Sequence, residues 1–380
     1  MKALHFGAGN IGRGFVGVLL HEAGYDLVFA DVAADLITAL NTEEAYTVHE
    51  VGAQPHAVEV TGFCGVNSAE DPQGLLEQIK TADVITTAVG PTVLKIIAPT
   101  LAEGLRARAE AGGSKVAVMA CENAINATDG LAESIRETYP DVDHIAVFAN
   151  TAVDRIVPNQ GSGQGLDVTV ETYYEWAVES PAFGDQRPEI PGVTWVDDLA
   201  PYITRKLFTV NTGHAAAAYF GYRAGISKLS DALEDPQVRA AVGEVLAETK
   251  ALLVEKFGFA PDVQQAYVDK ILTRFANPRL PDTVERVGRS PLRKISRSER
   301  FVGPAAELAE RGMNASALVS AVAAALHFDA AGDSEAQQLQ ADLDAARGDR
   351  AATDELVTRL TGISPDHPLF SALAKTFAAA

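Results

Sequence analysis

Cysteine is nearly missing from this chain of 380 residues: there are two, Cys64 and Cys121, and neither belongs to a CxxC pair. A disulfide framework is thereby excluded. With eight scattered histidines and no HExxH, the spacing of a zinc site is missing as well, and no metal is expected. Long apolar runs are also wanting. Nothing approaches the ~18–20 residues needed to span a bilayer. The opening MKALHFGAGNIG carries one lysine and a short apolar run that glycines break at once, unlike a signal peptide. We therefore expect a soluble, cytoplasmic protein with no membrane partner. Positive charge is the third scarcity. Lysine and arginine number 31 against 51 acids, a net charge of −20, which repels nucleic acid over most of the surface. A small anionic ligand is compatible with that balance only where basic residues cluster.

What is present suits folded cores: 47% hydrophobic residues with 22% charged, in a chain long enough for two domains. The first half alternates strand-like runs with helical patterns. KALHF (2–6), DLVFAD (26–31), DVITTAV (83–89), KVAVMA (115–120) and IAVFAN (145–150) read as strands, with helices near 11–23, 92–111 and 124–138. This alternation implies right-handed βαβ units and a parallel sheet. NQGSGQG (159–165) reads as a loop, LDVTVETYYEWAV (166–178) as one half-buried strand, and DQRPEIPG (185–192) as a boundary. From about 198 the pattern turns helical, near 200–222, 236–257, 261–276, 314–327, 334–346 and 368–379, with 331–354 as a solvated helix and its turn. No internal repeat is visible.

GAGNIG places Gly7, Gly9 and Gly12 in a GxGxxG pattern between a strand and a helix. The glycines permit a tight turn and close approach of backbone to a pyrophosphate, and the helix N-terminus offers free N–H groups. Gly7, Ala8, Gly9, Asn10, Ile11 and Gly12 are thus candidate cofactor contacts. Asp31, closing the second strand, is placed to bond a ribose 2′-hydroxyl and to repel a 2′-phosphate, which favours NAD over NADP. TAVGP (87–91) and CENA (121–124) end later strands on the same edge, adding Ala88 and Asn123, although small residues there also suit packing. The fold expected is α/β: a Rossmann-type parallel-sheet domain over 1–195, then a mostly α-helical domain over 196–380.

RKLFTVNTGHAAAAYFGY (205–222) sets three polar residues into an apolar helix, then four alanines. At about 100° per residue, Asn211 lies about 140° and His214 about 80° from Lys206, on one broad face. Oxidising a secondary alcohol requires a base for the hydroxyl proton. A lysine serves if burial lowers its pKa from about 10.4 toward 7–8, a shift of roughly 4 kcal/mol. Asparagine can donate to the oxygen where negative charge develops, and histidine can orient the substrate. Ala215–Ala218 would let the helix come close to the cofactor domain. The bland alternative, a helix entrance with a solvated lysine and a satisfied histidine, fits the same spacing. Tyr202 with Lys206 mimics the YxxxK of short-chain dehydrogenases, but those proteins use a different glycine loop.

K-x4-N-x2-H, with MKALHFGAGNIGRGF at the N-terminus and ANTAVDRIVP at 149–158, resembles the polyol-specific long-chain dehydrogenases across essentially the whole chain. The resemblance implies metal-independent, NAD-linked interconversion of D-mannitol 1-phosphate and fructose 6-phosphate. It gives Lys206 the acid/base role, Asn211 and, from the upstream motif, Asn150 the reacting oxygen, and His214 a substrate contact. Asp154 and Arg155 are explained equally by a buried ion pair. A phosphate needs cations, and RVGRSPLRKISRSER (286–300) carries six basic residues and one acid. After Pro291, Arg293, Arg297 and Arg300 fall on one helical face with Lys294 beside it, and arginine suits bidentate phosphate contact. A solvated basic face is the alternative. The partner expected is a small sugar phosphate, and the protein a monomer or weak dimer. Rival readings are a relative acting on free hexitols or hexuronates, of the mannitol 2-dehydrogenase or fructuronate reductase type, and an NAD sensor without turnover.

Overall fold

Alternate burial along the first strands decides the architecture. Ala3, Leu27 and Phe29 belong to one apolar cluster, while Leu4, Phe6, Val28 and Ala30 belong to another. Residues two apart share a face, so these strands carry a core on both sides, as a parallel sheet covered by helices requires. The structure, a computed structural model, describes residues 1–52, 54–158, 160, 165–184, 186–279 and 282–380. Two compact units, Met1–Tyr202 and Ile203–Ala380, divide the chain.

In the first unit, β1 (Lys2–Phe6), β2 (Asp26–Asp31), β5 (Phe63–Asn67), β6 (Val84–Thr87), β7 (Val116–Ala120) and β8 (Ala146–Phe148) form a six-stranded sheet. Its order is β5-β2-β1-β6-β7-β8, parallel throughout. This is the Rossmann order, in which the chain reverses direction at β1 and β6, beside the crevice where dinucleotides bind. The hairpin of β3 (Ala45–Val51) and β4 (His56–Thr61) pairs with β10 (Val168–Glu171) in a second sheet. β9 (Thr151–Asp154), β11 (Glu175–Glu179) and β12 (Val193–Val196) form a third. The run 166–178 is therefore two strands in different sheets, not one. Apolar residues recur on either side of the turn at Thr172–Tyr174, and in sequence this hides the change of sheet. Of the loop expected at 159–165, only Gln160 and Gly165 are among the described residues; in the boundary stretch, Asp185 lies outside them.

The second unit is helical. Its helices include Thr212–Arg223, Leu229–Glu234, Pro236–Phe257, Pro261–Phe275, Val302–Glu310, Ser316–Leu326, Ser334–Ala346, Arg350–Thr361 and Phe370–Ala378. Local chemistry marks several ends. Asp235 accepts from the Gln237 and Val238 N–H groups just before Pro236, and Gly258 closes the same helix in the left-handed region. Thr212–Arg223 is the hub of this unit, in contact with Leu229–Glu234, Pro236–Phe257, Val284–Gly288 and Ser316–Leu326. Ala215–Ala218 are fully buried, and a Cβ on Gly221 would stand 2.8 Å from the Ala232 Cβ. The run of methyls has its packing reason here: neighbouring helices of the same unit close onto it. Among the described residues, no helix is long and apolar enough to cross a membrane.

Candidate active site

The turn after β1 needs glycine at two positions for the protein's own sake. Gly7 has φ of +99°, and a Cβ there would lie 2.5 Å from the Ala88 carbonyl oxygen. A Cβ on Gly12 would lie 2.0 Å from the Gly7 oxygen and 2.8 Å from His5 Nε2. Gly9 differs, because a Cβ there would meet nothing within 4 Å. No neighbour among the described residues demands a glycine at position 9, so the open space over it fits the approach of a ligand such as a pyrophosphate. Ala8 and Asp31 secure the turn: the Ala8 N–H donates to Asp31 Oδ2 at 2.8 Å, and the Ala33 N–H donates to Oδ1 at 3.0 Å. Asn10 is half-buried and Ile11 exposed. From Gly12 to Gly17 the helix is of π form. Ala88 follows β6 and is half-buried, while Asn123 follows β7 and is exposed.

Asn150 belongs to the first unit and is buried. Its Nδ2 donates to Asp129 Oδ2 at 2.8 Å, and its Oδ1 accepts from the Asp129 N–H at 3.2 Å. Arg155 is buried in an ion pair, but its partner is Glu50.

In the second unit, the stretch expected as one α-helix over 200–222 contains a π segment, Lys206–Asn211, between Ala200–Arg205 and Thr212–Arg223. The Thr212 N–H bonds the Leu207 carbonyl, five residues back. Bonding of this kind stacks residues i and i+5, as α-helical bonding stacks i and i+4. Asn211 thus falls on the turn directly after Lys206, not about 140° away as α geometry requires. His214 follows on the next α turn. Its ring stacks on Phe275, with centroids 4.7 Å apart and 19° between planes, and Nε2 lies 3.5 Å from Asp282 Oδ2. Burial pushes the His214 pKa down, against the opposing pull of Asp282. Arg286 clamps the same carboxylate with Nε at 2.6 Å and Nη2 at 2.5 Å. Burial works to raise the Asp282 carboxyl, yet the bonds from His214 and Arg286 hold it at about 2.

The basic stretch departs from expectation. Pro291–Lys294 forms one helical turn, after which the chain runs through turns, so Arg293, Arg297 and Arg300 do not share a helical face. Ser290 enters with φ of +61°, and the Ser296 and Glu299 N–H groups bond carbonyls three residues back. Serines at 296 and 298 favour such turns over helix. Lys294 points inward, donating to the Val287 carbonyl at 2.7 Å and to that of Arg289, with its ammonium 5.8 Å from the Tyr219 ring centre. Arg297 pairs with Glu310 at 2.8 Å. Arg293 bonds Glu299 at 3.0 Å, and Glu299 Oε2 lies 3.7 Å from Arg300 Nε. Arg300 reaches the polar trio: its Nη1 is 3.4 Å from the Asn211 carbonyl, and its own carbonyl accepts from Thr212 Oγ1 at 2.6 Å. A cavity of about 650 Å³ at the C-terminal end, lined by Leu343, Phe370 and Phe377 among others, includes none of the candidate residues. Among the described residues, no group of three or more His, Cys, Asp or Glu side chains is arranged to hold a metal ion.

Two family models cover nearly all of the chain. The mannitol dehydrogenase Rossmann domain matches residues 1–192, and the mannitol dehydrogenase C-terminal domain matches residues 198–365. The chain belongs to the mannitol dehydrogenase family. Within that family it is 60% identical to the mannitol-1-phosphate 5-dehydrogenase of Paenarthrobacter aurescens strain TC1, over 99% of this chain and 98% of the relative. The enzyme of that name from Emericella nidulans is 48% identical, over 97% and 96%. Among solved structures, Pseudomonas fluorescens mannitol 2-dehydrogenase, in a ternary complex with NAD and D-mannitol, superposes with a TM-score of 0.76 at 18% identity. That match covers 100% of this chain and 91% of the other. A D-sorbitol dehydrogenase in substrate-free form gives 0.73 at 19%, over 86% and 80%. At these identities the likeness is one of fold.

Sequence reasoning passed over three side chains that this mannitol dehydrogenase family member builds into its candidate sites. Asp282 and Arg286 hold His214, but lie too far along the chain for spacing to connect them. Arg13 is buried beneath the glycine turn, donating to the Ala8 carbonyl and, at 2.9 Å, to the Leu166 carbonyl. A charged residue directly after a GxGxxG, on the buried side of a helix, was the available signal for it.

Proposed function

We propose that this member of the mannitol dehydrogenase family interconverts D-mannitol 1-phosphate and D-fructose 6-phosphate, with NAD as the hydride carrier. The observation that carries this reading is 60% identity to a mannitol-1-phosphate 5-dehydrogenase over nearly the full length of both chains. Gly7, Ala8, Gly9 and Asp31 would hold the dinucleotide, and the open space over Gly9 supports that assignment. When bound, NAD supplies the acceptor for the hydride leaving the carbinol carbon.

The chain's own residues handle the proton. Lys206 Nζ takes the hydroxyl proton during oxidation and returns one to the oxygen during reduction, without a metal. Asn211, one π turn on, donates its amide N–H to the same oxygen as charge builds there. His214, kept neutral by burial and fixed between Phe275 and Asp282, orients the polyol. Asn150 serves as a second donor, which requires its amide to share hydrogen bonds with Asp129. We assign the phosphate to Arg300 and Arg293, which flank Glu299. Lys294 supplies positive charge from behind them, and Arg297 is drawn aside by Glu310. The reading extends to a cytoplasmic location, with which two free cysteines accord, and to a monomer or weak dimer.

The test follows NADH absorbance with fructose 6-phosphate and fructose offered side by side. Consumption with the phosphate and little with the free sugar is expected; the reverse overturns the substrate assignment. Lys206→Ala should lower kcat by on the order of 10³-fold, as expected for a lost acid/base, and leave NADH affinity intact. Retained turnover would remove Lys206 from that role.

A further inference from the structure

Glu122 follows β7 and is only 5% exposed, yet it is tied to another part of the chain. Its Oε1 accepts from Thr87 Oγ1 at 2.7 Å and from the Val89 N–H at 3.0 Å, and its Oε2 accepts from the Gly90 N–H at 2.9 Å. The donors are the last residue of β6 and two residues of the short stretch joining it to the helix Pro91–Glu110. Strand pairing does not need this carboxylate. The backbone already anchors the end of β6, through the Ala88 N–H on the Phe6 carbonyl at 2.8 Å and the Cys121 N–H on the Thr87 carbonyl at 2.9 Å. Glu122 instead dictates the path beyond Thr87, where Gly90 takes a φ of +92°.

That path bears on the glycine turn. The Ala88 carbonyl oxygen lies 2.5 Å from the point a Gly7 Cβ would occupy, so the segment after β6 forms the wall against which Gly7 bends. β1, β6 and β7 are successive neighbours in the sheet. The carboxylate just past β7 thus sets the segment after β6, and that segment sets the β1 turn.

We propose that Glu122 is a positioning residue for the dinucleotide, holding residues 87–90 against the glycine turn in the shape that receives it. The proposal rests on the NAD-dependent reading of this site. Charge-assisted hydrogen bonds to backbone N–H groups are strong and directional, and removing their acceptor leaves buried donors unsatisfied.

The experiment uses the full-length protein with Glu122→Ala and Glu122→Gln. NADH affinity is measured by nicotinamide fluorescence without sugar, and amide deuterium exchange over residues 87–90 without cofactor. Glu122→Ala should weaken NADH binding at least tenfold and speed exchange at Val89 and Gly90. Glutamine can keep the two bonds made by Oε1, but sets an amide NH₂ against the Gly90 N–H, so about threefold weakening is expected. At saturating NADH, kcat should stay within threefold of wild type, and KM for fructose 6-phosphate within twofold. If both variants bind NADH within twofold of wild type, the proposal is overturned. It is equally overturned if sugar-phosphate affinity falls in parallel with NADH affinity, the mark of a general structural defect. Should Glu122→Ala fail to fold, the glutamine variant decides. A wild type that does not bind NADH would overturn the functional reading itself, and this inference with it.

Discussion

Asp282→Asn is the substitution that most directly probes the His214 site. The wild-type carboxyl is held at about 2 instead of the ordinary 3.8. At 1.36 kcal/mol per pH unit this corresponds to roughly 2 kcal/mol favouring the charged form in the folded chain. The side chain is only 8% exposed, so solvent screening takes little from that figure. Asparagine keeps the shape but loses the charge, leaving Arg286 to water, which it reaches readily at 47% exposure. The expected outcome is a loss of about 2 kcal/mol in urea unfolding at pH 7. The folded-state value lies below the unfolded one. The contribution is therefore complete well above pH 3.8 and is lost progressively as pH falls from there through about 2, so the gap between wild type and variant should be flat from pH 7 to 8.

A second measurement separates this account from simple damage. Asp282 opposes the downward push of burial on His214, so removing its charge should move the His214 titration, followed by NMR, to still lower pH. If His214 orients the polyol, KM for the sugar phosphate should rise about tenfold, while NADH affinity holds. A stability loss below 0.5 kcal/mol together with a His214 midpoint that rises would refute the reasoning.

Gly12→Ala should destabilise the fold by several kcal/mol, its Cβ colliding with the Gly7 carbonyl. Gly9→Ala should leave Tm nearly unchanged and weaken NADH binding at least tenfold; thermal melts and fluorescence titration check both, and unaltered binding in Gly9→Ala would remove that position from the cofactor site. Asp31→Ala should relax the preference for NAD over NADP, read as the ratio of kcat/KM values. Burial, with the charges of Arg300 and Arg293, lowers the Lys294 ammonium to about 7. Because the unfolded chain binds the extra proton above that pH, the stability advantage of wild type over Lys294→Met should grow by on the order of 1 kcal/mol per unit between pH 7 and 9; a shrinking gap in urea unfolding would contradict this.

Short apolar, β-branched runs alternating with helical patterns, together with the glycine turn, made β1, β2, β6, β7 and β8 legible, the first four of them being apolar on both faces. β5 escaped: FCGVN is short, sits at the sheet edge, and leaves Cys64 exposed. The hairpin of β3 and β4 escaped for a related reason, since its outer face alternates with polar residues that also suit a loop. In the second unit most of the long helices were legible, but Val302–Glu310 and Arg350–Thr361 were not, the start of the latter lying in the polar stretch 331–354 read as a solvated helix and its turn; one-turn elements such as Pro291–Lys294 also escaped, because four residues carry no periodicity. Side chains that turn against their segment's polarity were the least accessible. Nothing local tells Lys294 to enter the core while Arg293 stays in water; that choice is made by the Val287 and Arg289 carbonyls and the Tyr219 ring.

The spacing K-x4-N sets its two residues about 140° apart on an α-helix, and it is better suited to the helix that forms. On an α-helix, residues five apart diverge by more than a third of a turn, and a lysine and an asparagine meant for one oxygen would point past each other. A π turn removes the mismatch by closing its hydrogen bonds over five residues. Such turns are rare and tend to mark functional positions. Among the described residues there are two, Gly12–Gly17 and Lys206–Asn211, each just after or within a motif singled out for chemistry. At the first, the wide turn presses so closely that a Cβ on Gly17 would stand 2.6 Å from the Gly12 carbonyl, which explains a glycine beyond the GxGxxG that the dinucleotide pattern does not ask for. In both places the backbone departs from its preferred helix, and at the second the departure sets the phase of the residues proposed to act.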